Sequence, residues 1–287
     1  MIPLSDSERL LAAALDACRL AGVIHREHFR SAGLAVERKA DTSPVTQADR
    51  GSEEAIRETL HRAFPDLGLL GEEFGQEGSE RDRWIIDPLD ATKNFVAGLP
   101  YFAILIGLEL DGELVFGAVH APALGPGAGL STTPADGESA TLGETWWGAR
   151  GEGAWGSTGT RLETCRQRRL RVSETAEIEQ AFIVHGGLNL FQRHGHWPAF
   201  SNLVARANRT RGFGDWWGHI LVAEGRCDAM VEGEVALHDV AALKPILEEA
   251  GGAFVTRGDG PLVTGWTDGA FSANGKLAEE VREVMGY

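Results

Sequence analysis

Two aspartates stand three residues apart at Asp87 and Asp90, directly after the apolar run of residues 84–86. Such a run is typical of a short buried strand, and Pro88 is expected to turn the chain so that both carboxylates face one side. Hard oxygen ligands suit Mg²⁺, which proteins bind through one or two carboxylates together with a substrate phosphate. The segment therefore predicts a metal site, with a plain turn carrying two solvated acids as the alternative.

Two more acids stand where predicted elements begin or end. Glu72 follows the apolar residues 69–70 and lies in a glycine-flanked loop, so a strand is expected to deliver it there. Asp239 stands at the predicted start of an apolar helix over residues 240–250, where aspartate is a natural N-cap. A helix N-terminus also attracts phosphate anions, so capping and a role in a phosphate site are compatible.

The acidic composition limits the partners of the chain. A formal net charge of -15 over 287 residues argues against nucleic-acid binding, which depends on Lys and Arg, and favours a divalent cation or a cationic substrate. The first residues lack the apolar segment of a signal peptide, and no apolar run approaches membrane-spanning length. The sequence therefore predicts a cytoplasmic protein with no membrane partner.

The elements that must position these acids alternate along the chain. Asp111-Gly112 predicts a hairpin turn between strands over 101–109 and 113–120, and residues 125–143 predict a loop. Apolar periodicity predicts helices near residues 10–21, 48–63, 198–207 and 216–223, and strands near residues 69–70, 146–149, 170–172, 181–184 and 229–232. The pattern predicts a mixed α/β protein built from two packed subdomains, residues 1–145 and 146–287.

Three acidic segments, residues 71–73, 87–92 and 238–242, resemble in order and spacing the motifs of the inositol monophosphatase family. Residues 39–49 are similar to the N-terminal motif of the same family. Its members are Mg²⁺-dependent, lithium-sensitive phosphomonoesterases. The resemblance implies a layered α-β-α-β-α sugar-phosphatase fold of mixed α+β and α/β type, two or three Mg²⁺ ions per site, a small phosphate ester as substrate, and a homodimer.

Position by position, the resemblance implies metal ligation by four carboxylates and one backbone carbonyl: Glu72, Asp87, Leu89 (through its carbonyl), Asp90 and Asp239. Asp87 would bridge two ions. Asp90 and Asp239 would hold the ion that stabilises the leaving alkoxide. Most of these ligands belong to the first predicted subdomain, and only Asp239 comes from the second.

The same resemblance implies the catalytic residues Glu72, Thr92 and Asp49. The amides of Ala91 and Thr92 would bind the phosphate at a helix N-terminus. Glu72 and Thr92 would hold a water polarised by Mg²⁺, with Asp49 hydrogen-bonded behind Thr92. That water would attack phosphorus in line, without a covalent phosphoenzyme.

Two residues depart from the family pattern. Ala91 stands where the family has glycine, a change that costs up to about 1 kcal/mol if the backbone needs a positive φ. His238 stands where the family has tryptophan. We expect the His238 side chain to replace the indole in the core. The alternatives, in order, are a partner of Asp239 and an extra metal ligand.

Asp215 and Glu232 are the residues expected to select the substrate. Glu232 matches the family position that contacts the non-phosphate part of the substrate, and Gly214-Asp215 is similar to members that hydrolyse histidinol phosphate, in histidine biosynthesis. Two carboxylates suit the amine and imidazole of that ester, whereas inositol carries no charge. Trp216 or Trp217 is a candidate to stack on the imidazole, with a core position for at least one of them as the alternative.

Other functions remain open at this stage. An inositol-1-monophosphatase or a broad-specificity sugar or nucleotide phosphatase of the same family fits the same acidic motifs. A partner-binding member without activity is a further alternative, motivated by Ala91 and His238. The full set of acids argues against it.

Overall fold

The computed structural model describes residues 7–38, 44–125, 143–161, 167–258 and 262–287. Most of the predicted loop over 125–143 and the first part of the N-terminal motif, residues 39–43, therefore lie outside the described residues. Within these ranges, no helix combines the length and the apolar character needed to cross a membrane.

Two long helices, α1 (Ser7–His28) and α2 (Gln47–Ala63), confirm the first two helix predictions. In α1 the buried residues recur at every third or fourth position, as expected for a helix with one face on the core. The N-terminus of α2 is a capping box, in which Thr46 is the N-cap and the Asp49 carboxylate accepts a hydrogen bond from the Thr46 amide. Capping therefore fixes the position of Asp49.

Eight of the described strands form the larger sheet, in the order β10-β9-β8-β7-β6-β5-β3-β4. Neighbouring strands are antiparallel, except that β3 and β5 are parallel. The strands are β3 (Gly68–Gly71), β4 (Gly75–Glu77), β5 (Arg83–Asp90), β6 (Ala103–Leu110), β7 (Glu113–Ala121), β8 (Glu144–Ala149), β9 (Gly153–Thr158) and β10 (Gln167–Arg169), while β1 (Val36–Arg38) and β2 (Pro44–Thr46) pair separately.

The predicted hairpin of β6 and β7 is confirmed. Asp111 and Gly112 form its two-residue loop with φ angles of 55° and 81°. Positive φ at both positions is the geometry that matches the twist of the flanking strands, and it explains the Asp-Gly pair.

Five of the described strands form the smaller sheet, in the order β12-β11-β13-β15-β14. These strands are β11 (Phe182–His185), β12 (Arg209–Arg211), β13 (Ala229–Ala236), β14 (Gly252–Thr256) and β15 (Thr267–Asn274). The helices of this part are α4 (Leu188–Arg193), α5 (Trp197–Arg206), α6 (Asp215–Ala223), α7 (Leu237–Val240), α8 (Leu243–Glu249) and α9 (Ala278–Met285), and the short α3 (Thr92–Val96) follows β5.

The elements stack in the layers α-β-α-β-α, as the family resemblance implied. Helices α1 and α2 share one apolar cluster with the larger sheet. Helices α6 and α8 lie between the two sheets in a second cluster. Helices α4, α5 and α9 cover the outer face of the smaller sheet in a third. The division into subdomains at residue 145 stays a prediction. Strand pairing in the larger sheet crosses this residue, because it continues to Arg169.

A row of glycines brings the segment after α7 against the larger sheet. Gly107, Gly117 and Gly148 are cross-strand partners on β6, β7 and β8. A Cβ atom added at Gly117 would lie 1.9 Å from the carbonyl oxygen of Ala242, and one at Gly107 would lie 2.9 Å from the Cβ of Ala241. The absence of side chains along this row therefore lets the backbone of the α7–α8 segment touch the sheet.

Three predicted elements need correction. Pro88 does not end the strand in a turn: it lies within β5, at a register shift between Asp87 and Asp90. A bulge suits proline because that position needs no amide donor in the ladder. The helix predicted over 240–250 is broken into α7 and α8 where the chain meets the glycine row. The strand predicted at 170–172 is β10, three residues earlier.

We predict that Gly117→Ala destabilises the fold by at least about 2 kcal/mol, because the new methyl group would overlap a backbone carbonyl that cannot move without displacing the segment. Denaturant unfolding measures the change. Gly51→Ala in α2 is the matched control, since its Cβ would meet only Ile24, at 3.7 Å. That control should stabilise the helix by about 0.5–1 kcal/mol. Equal effects of the two substitutions would contradict a close backbone contact at Gly117.

Candidate active site

The bulge of β5 positions the first group of site residues. Asp87 is buried, with 1% of its surface exposed, and its Oδ1 accepts a hydrogen bond from the Leu89 amide at 3.0 Å. The Leu89 side chain is buried beside Phe95 and Phe102. The structure thereby holds the Asp87 carboxylate, the Leu89 carbonyl and Asp90 on one short irregular segment.

Glu72 reaches the site from the end of β3. Its amide donates to the carbonyl of Ile86 at 3.2 Å, so the parallel pairing of β3 with β5 places Glu72 beside Asp87. Glu53 fixes the loop that follows, because its carboxylate accepts the amides of Glu73 at 2.7 Å and Phe74 at 3.2 Å. Sequence reasoning missed Glu53. The only signal for it was its i,i+4 spacing to an arginine on α2, which is common on solvated helix faces.

Asp239 comes from the far side of the glycine row. It is the third residue of α7, and its Oδ2 accepts the Ala236 amide at 2.6 Å. The prediction that Asp239 is the N-cap is therefore wrong. The N-cap is Ala236, because the helix begins three residues earlier than the apolar pattern indicated. The Asp239 side chain still caps the helix, from inside its first turn.

These acids form two overlapping groups of possible metal ligands. Ligand atoms of Asp87, Asp90 and Asp239 lie within 4.8 Å of one another, and so do those of Glu72, Asp87 and His238. Asp87 belongs to both groups. His238 is not the core replacement that we expected: its side chain is 29% exposed, and its Nε2 lies 3.3 Å from Asp239 Oδ1. An imidazole is shorter and more polar than the indole it was expected to replace.

The electrostatics of the groups suit a cation. Burial, followed by the negative charges of Glu72, Asp90 and Asp239, raises the pKa of Asp87 well above its usual range. Burial and the charges of Asp215 and Asp239 do the same to the pKa of Asp90. Clustered carboxylates of this kind gain most from a divalent ion, and the oxygen-rich donor set fits such an ion.

Ala91 and Thr92 follow the acids directly. Ala91 has a φ of 65°, the left-handed conformation, and is the N-cap of α3. The Thr92 hydroxyl lies 3.0 Å from both Asp49 Oδ1 and the Leu89 carbonyl oxygen. Burial raises the pKa of Asp49, while hydrogen bonds from Thr46 and Thr92 oppose that rise. Thr92 is thus held between an element of the larger sheet and the capping box of α2.

A small cavity of about 110 Å³ adjoins the acids. Asp215 and the buried Glu232 line it together with Asp90 and Asp239. Glu234, which sequence reasoning missed, lines it as well. No pattern in the sequence marks Glu234, since it follows Glu232 on the same strand. Burial and the charge of Asp215 raise the pKa of Glu232 well above its usual range. A cation in the cavity would therefore stabilise the charged forms of these carboxyl groups.

The backbone at the start of α6 connects this cavity to the metal cluster. The Asp215 amide donates to Glu232 Oε1 at 3.0 Å, and the Trp216 amide donates to Asp90 Oδ2 at 2.8 Å. Asp215 itself has a φ of 58°. Gly186 leaves room for the Glu232 carboxylate, since a Cβ there would lie 1.7 Å from Glu232 Oε2. The two acids expected to select the substrate are thus hydrogen-bonded to each other.

The two adjacent tryptophans have different environments. Trp216 is 1% exposed and packs against Trp146, so it is a core residue. Trp217 is only partly buried and stacks on Tyr101, with ring centroids 4.6 Å apart. Neighbouring residues on a helix point about 100° apart, and this explains why only one of them joins the core. Asn94 donates to both the Tyr101 carbonyl and Asp215, so it links this aromatic pair to the cavity.

A layered α-β-α-β-α fold with clustered carboxylates between its sheets defines a class, the metal-dependent phosphomonoesterases. The chain belongs to the inositol monophosphatase family, whose pattern matches residues 6–285. It is 39% identical over 280 residues to a histidinol-phosphatase of Mycobacterium tuberculosis, with 97% of each chain covered. It is 36% identical over 278 residues to a histidinol-phosphatase of Streptomyces coelicolor, covering 97% of this chain and 94% of the relative. Among solved structures, an inositol monophosphatase from Zymomonas mobilis matches with a TM-score of 0.77, 27% identity and complete coverage, 100%, of both chains.

We predict that Ala91→Gly stabilises the protein by about 1 kcal/mol, because an alanine in the left-handed region is strained and glycine is not. Chemical denaturation of the two proteins measures the difference. Ala97→Gly is the matched control, since Ala97 ends the same short helix with a φ of -73° and glycine should destabilise it. A loss of stability in both variants would show that Ala91 is not strained.

We predict that Asp87→Asn raises the melting temperature of the metal-free protein near neutral pH and abolishes its stabilisation by divalent cations. A carboxyl group whose pKa is raised by folding stabilises the fold while protonated, and this contribution is lost as pH rises through the folded-state pKa. Removing the charge therefore relieves repulsion. The wild type should gain about 2.7 kcal/mol from metal at 100 times its dissociation constant, and the variant should gain almost nothing.

Thermal melts with a chelator and with added Mg²⁺, over a range of pH, test this prediction. The stability of the metal-free wild type should fall as pH rises above the usual Asp range, and the variant should show a shallower fall. The exposed Asp66→Asn is the control and should leave both properties unchanged. Unaltered metal stabilisation in Asp87→Asn would remove Asp87 from the metal site.

Proposed function

We propose that this protein is a Mg²⁺-dependent phosphatase that hydrolyses L-histidinol phosphate to L-histidinol and phosphate, in histidine biosynthesis. The observation that carries the proposal is the cavity lined by the carboxyl groups of Asp215, Glu232 and Glu234 beside the clustered acids Asp90 and Asp239. Two relatives named histidinol-phosphatase, which match nearly the whole chain, support it. A homodimer, which the resemblance implied, and a cytoplasmic location, which the sequence predicted, are part of the same proposal.

The proposed metal ligands are Glu72, Asp87, the Leu89 carbonyl, Asp90 and Asp239. The two overlapping groups of ligand atoms, with Asp87 in both, support a centre for two or three ions in which Asp87 bridges. When bound, Mg²⁺ would polarise the phosphate and lower the pKa of a water. Carboxylate and carbonyl oxygens are the donors that Mg²⁺ prefers.

Glu72, Thr92 and Asp49 are proposed to orient the attacking water. The Thr92 hydroxyl has one proton and lies at hydrogen-bonding distance from two acceptors, Asp49 and the Leu89 carbonyl. Its lone pairs are therefore left to accept a hydrogen bond from water. Asp49 is held by the capping box of α2 and fixes the direction of the Thr92 side chain. A fixed acceptor of this kind contributes to proton transfer without moving.

The amides of Ala91 and Thr92 are proposed to bind the phosphate. The Ala91 carbonyl already accepts the amides of Asn94 and Phe95, so the intrahelical bonds of α3 begin after the first turn. The amides before that point have no acceptor within the helix. The left-handed conformation of Ala91 lies at the junction of β5 and α3 and orients these groups.

The cavity supports a cationic alcohol as the leaving group. Histidinol carries an amine and an imidazole, and Asp215, Glu232 and Glu234 provide negative charge for both. Trp217, which stacks on Tyr101, does not line this cavity, but it is less buried than Trp216 and is the proposed aromatic partner for the imidazole. An inositol-1-monophosphatase is the second candidate, because carboxylates also accept hydrogen bonds from sugar hydroxyls and the Zymomonas structure has a similar fold.

We predict that Asp215→Asn lowers kcat/KM for histidinol phosphate by about 10–100-fold, because a charge-assisted hydrogen bond contributes about 1.5–3 kcal/mol. Hydrolysis of inositol 1-phosphate and of a generic phosphomonoester should change far less. Phosphate release with Mg²⁺ measures all three. Wild-type protein should prefer histidinol phosphate. If it hydrolysed inositol phosphate, fructose bisphosphate or a 3′-phosphoadenosine nucleotide instead, the substrate would be wrong and the reaction class would stand.

Glu234→Gln is the matched control for this experiment. Glu234 lines the same cavity, but its carboxylate already lies 2.6 Å from His194 Nε2, so it has less charge to offer a substrate. We expect a smaller loss than in Asp215→Asn. If Asp215→Asn lowered kcat/KM equally for every substrate, Asp215 would not belong to the specificity pocket. A wild-type protein that binds no Mg²⁺ in calorimetry would favour a partner-binding protein without activity.

A further inference from the structure

One nitrogen donor lies among the oxygen donors of the metal cluster. The ligand atom of His238 lies within 4.8 Å of those of Glu72 and Asp87, which themselves lie within that distance of each other. The same ring places Nε2 at 3.3 Å from Asp239 Oδ1. His238 therefore lies close to Glu72, Asp87 and Asp239.

The backbone of α7 holds this arrangement. The Ala236 amide binds Oδ2 of Asp239, so Oδ1 is the oxygen that faces the His238 ring. The following residues, Ala241 and Ala242, lie against the glycine row of the larger sheet. The position of His238 is thus set by the same close contact that delivers Asp239.

The three ligand atoms lie within 4.8 Å of one another, which is close enough for one ion to reach all three. Ions of the first transition row bind imidazole nitrogen and carboxylate oxygen at about 2.0–2.2 Å, so opposite ligands of one ion lie about 4 Å apart. The spacing of His238, Glu72 and Asp87 needs little adjustment to reach this geometry. A neutral imidazole with its proton on Nδ1 offers the Nε2 lone pair to the ion.

We propose that His238 Nε2 is a direct ligand of the cation bound by Glu72 and Asp87, which makes the centre a mixed nitrogen and oxygen site. The inference rests on the metal-dependent function proposed above. Imidazole contributes much more to the binding of Mn²⁺, Co²⁺ or Zn²⁺ than to that of Mg²⁺, which prefers oxygen and retains its waters. His238 therefore raises the affinity of the site for these ions relative to Mg²⁺.

The test compares the metal-stripped wild type with His238→Gln, which keeps a polar side chain of similar reach without the imidazole. Electron paramagnetic resonance measures free Mn²⁺ during a titration, and competition gives the Mg²⁺ constant. Substitution of a residue that only hydrogen-bonds to a metal ligand lowers metal affinity about 10–100-fold. Loss of a direct imidazole ligand should therefore lower the ratio of Mn²⁺ to Mg²⁺ affinity by at least about 10-fold. Pulsed electron paramagnetic resonance of the Mn²⁺-loaded wild type should show a hyperfine coupling to the imidazole nitrogen that His238→Gln lacks.

His61→Gln on α2 is the control, since it removes an exposed imidazole and should preserve both the ratio and the coupling. Mn²⁺ binding without a nitrogen coupling in the wild type would overturn the inference and leave the proposed phosphatase intact. Equal losses of Mn²⁺ and Mg²⁺ affinity in His238→Gln would also overturn it, because His238 would then only position Asp239. Binding of neither ion by the wild type would overturn the proposed metal-dependent function as well.

Discussion

The close contact between the glycine row and the α7–α8 segment is the constraint on which the site depends. Gly107, Gly117 and Gly148 present bare backbone to Ala241 and its neighbours, so two layers approach more closely than side chains would permit. Asp239 and His238 belong to one layer and Asp87 to the other. Any increase in the distance between these layers would separate acids that lie more than one hundred residues apart in the chain.

The site that this contact creates is unfavourable for the metal-free fold. Its carboxylates are clustered, with Asp87 and Glu232 buried, and the pKa of Asp87, Asp90 and Glu232 rises because burial and neighbouring charges oppose ionisation. Ala91 and Asp215 both adopt left-handed backbone conformations beside these acids. Strain and repulsion of this kind persist where the surrounding structure holds them, and binding of a cation would relieve the repulsion.

Catalysis and selectivity share residues in this arrangement. Asp90 and Asp239 belong both to the proposed metal cluster and to the lining of the substrate cavity. The start of α6 joins the two, because the amides of Asp215 and Trp216 bind Glu232 and Asp90. In the proposed function, the position of the leaving group would therefore be coupled to the position of the ions. This coupling explains why charge in the cavity is expected to select among phosphate esters that undergo the same reaction.

The sequence by itself determined the long helices, the Asp-Gly hairpin and the acidic motifs at Glu72, Asp87 and Asp239, because periodicity, turn chemistry and short motifs are local properties. Together they identified the family and the layered fold. Tertiary structure decided what depends on neighbours distant in the chain. The packing of the layers decided the bulge at Pro88 and the break between α7 and α8. It also decided the deeper burial of Trp216 than of Trp217 and the place of His238 beside Glu72 and Asp87. Such contacts leave no periodic signal in the residues that make them.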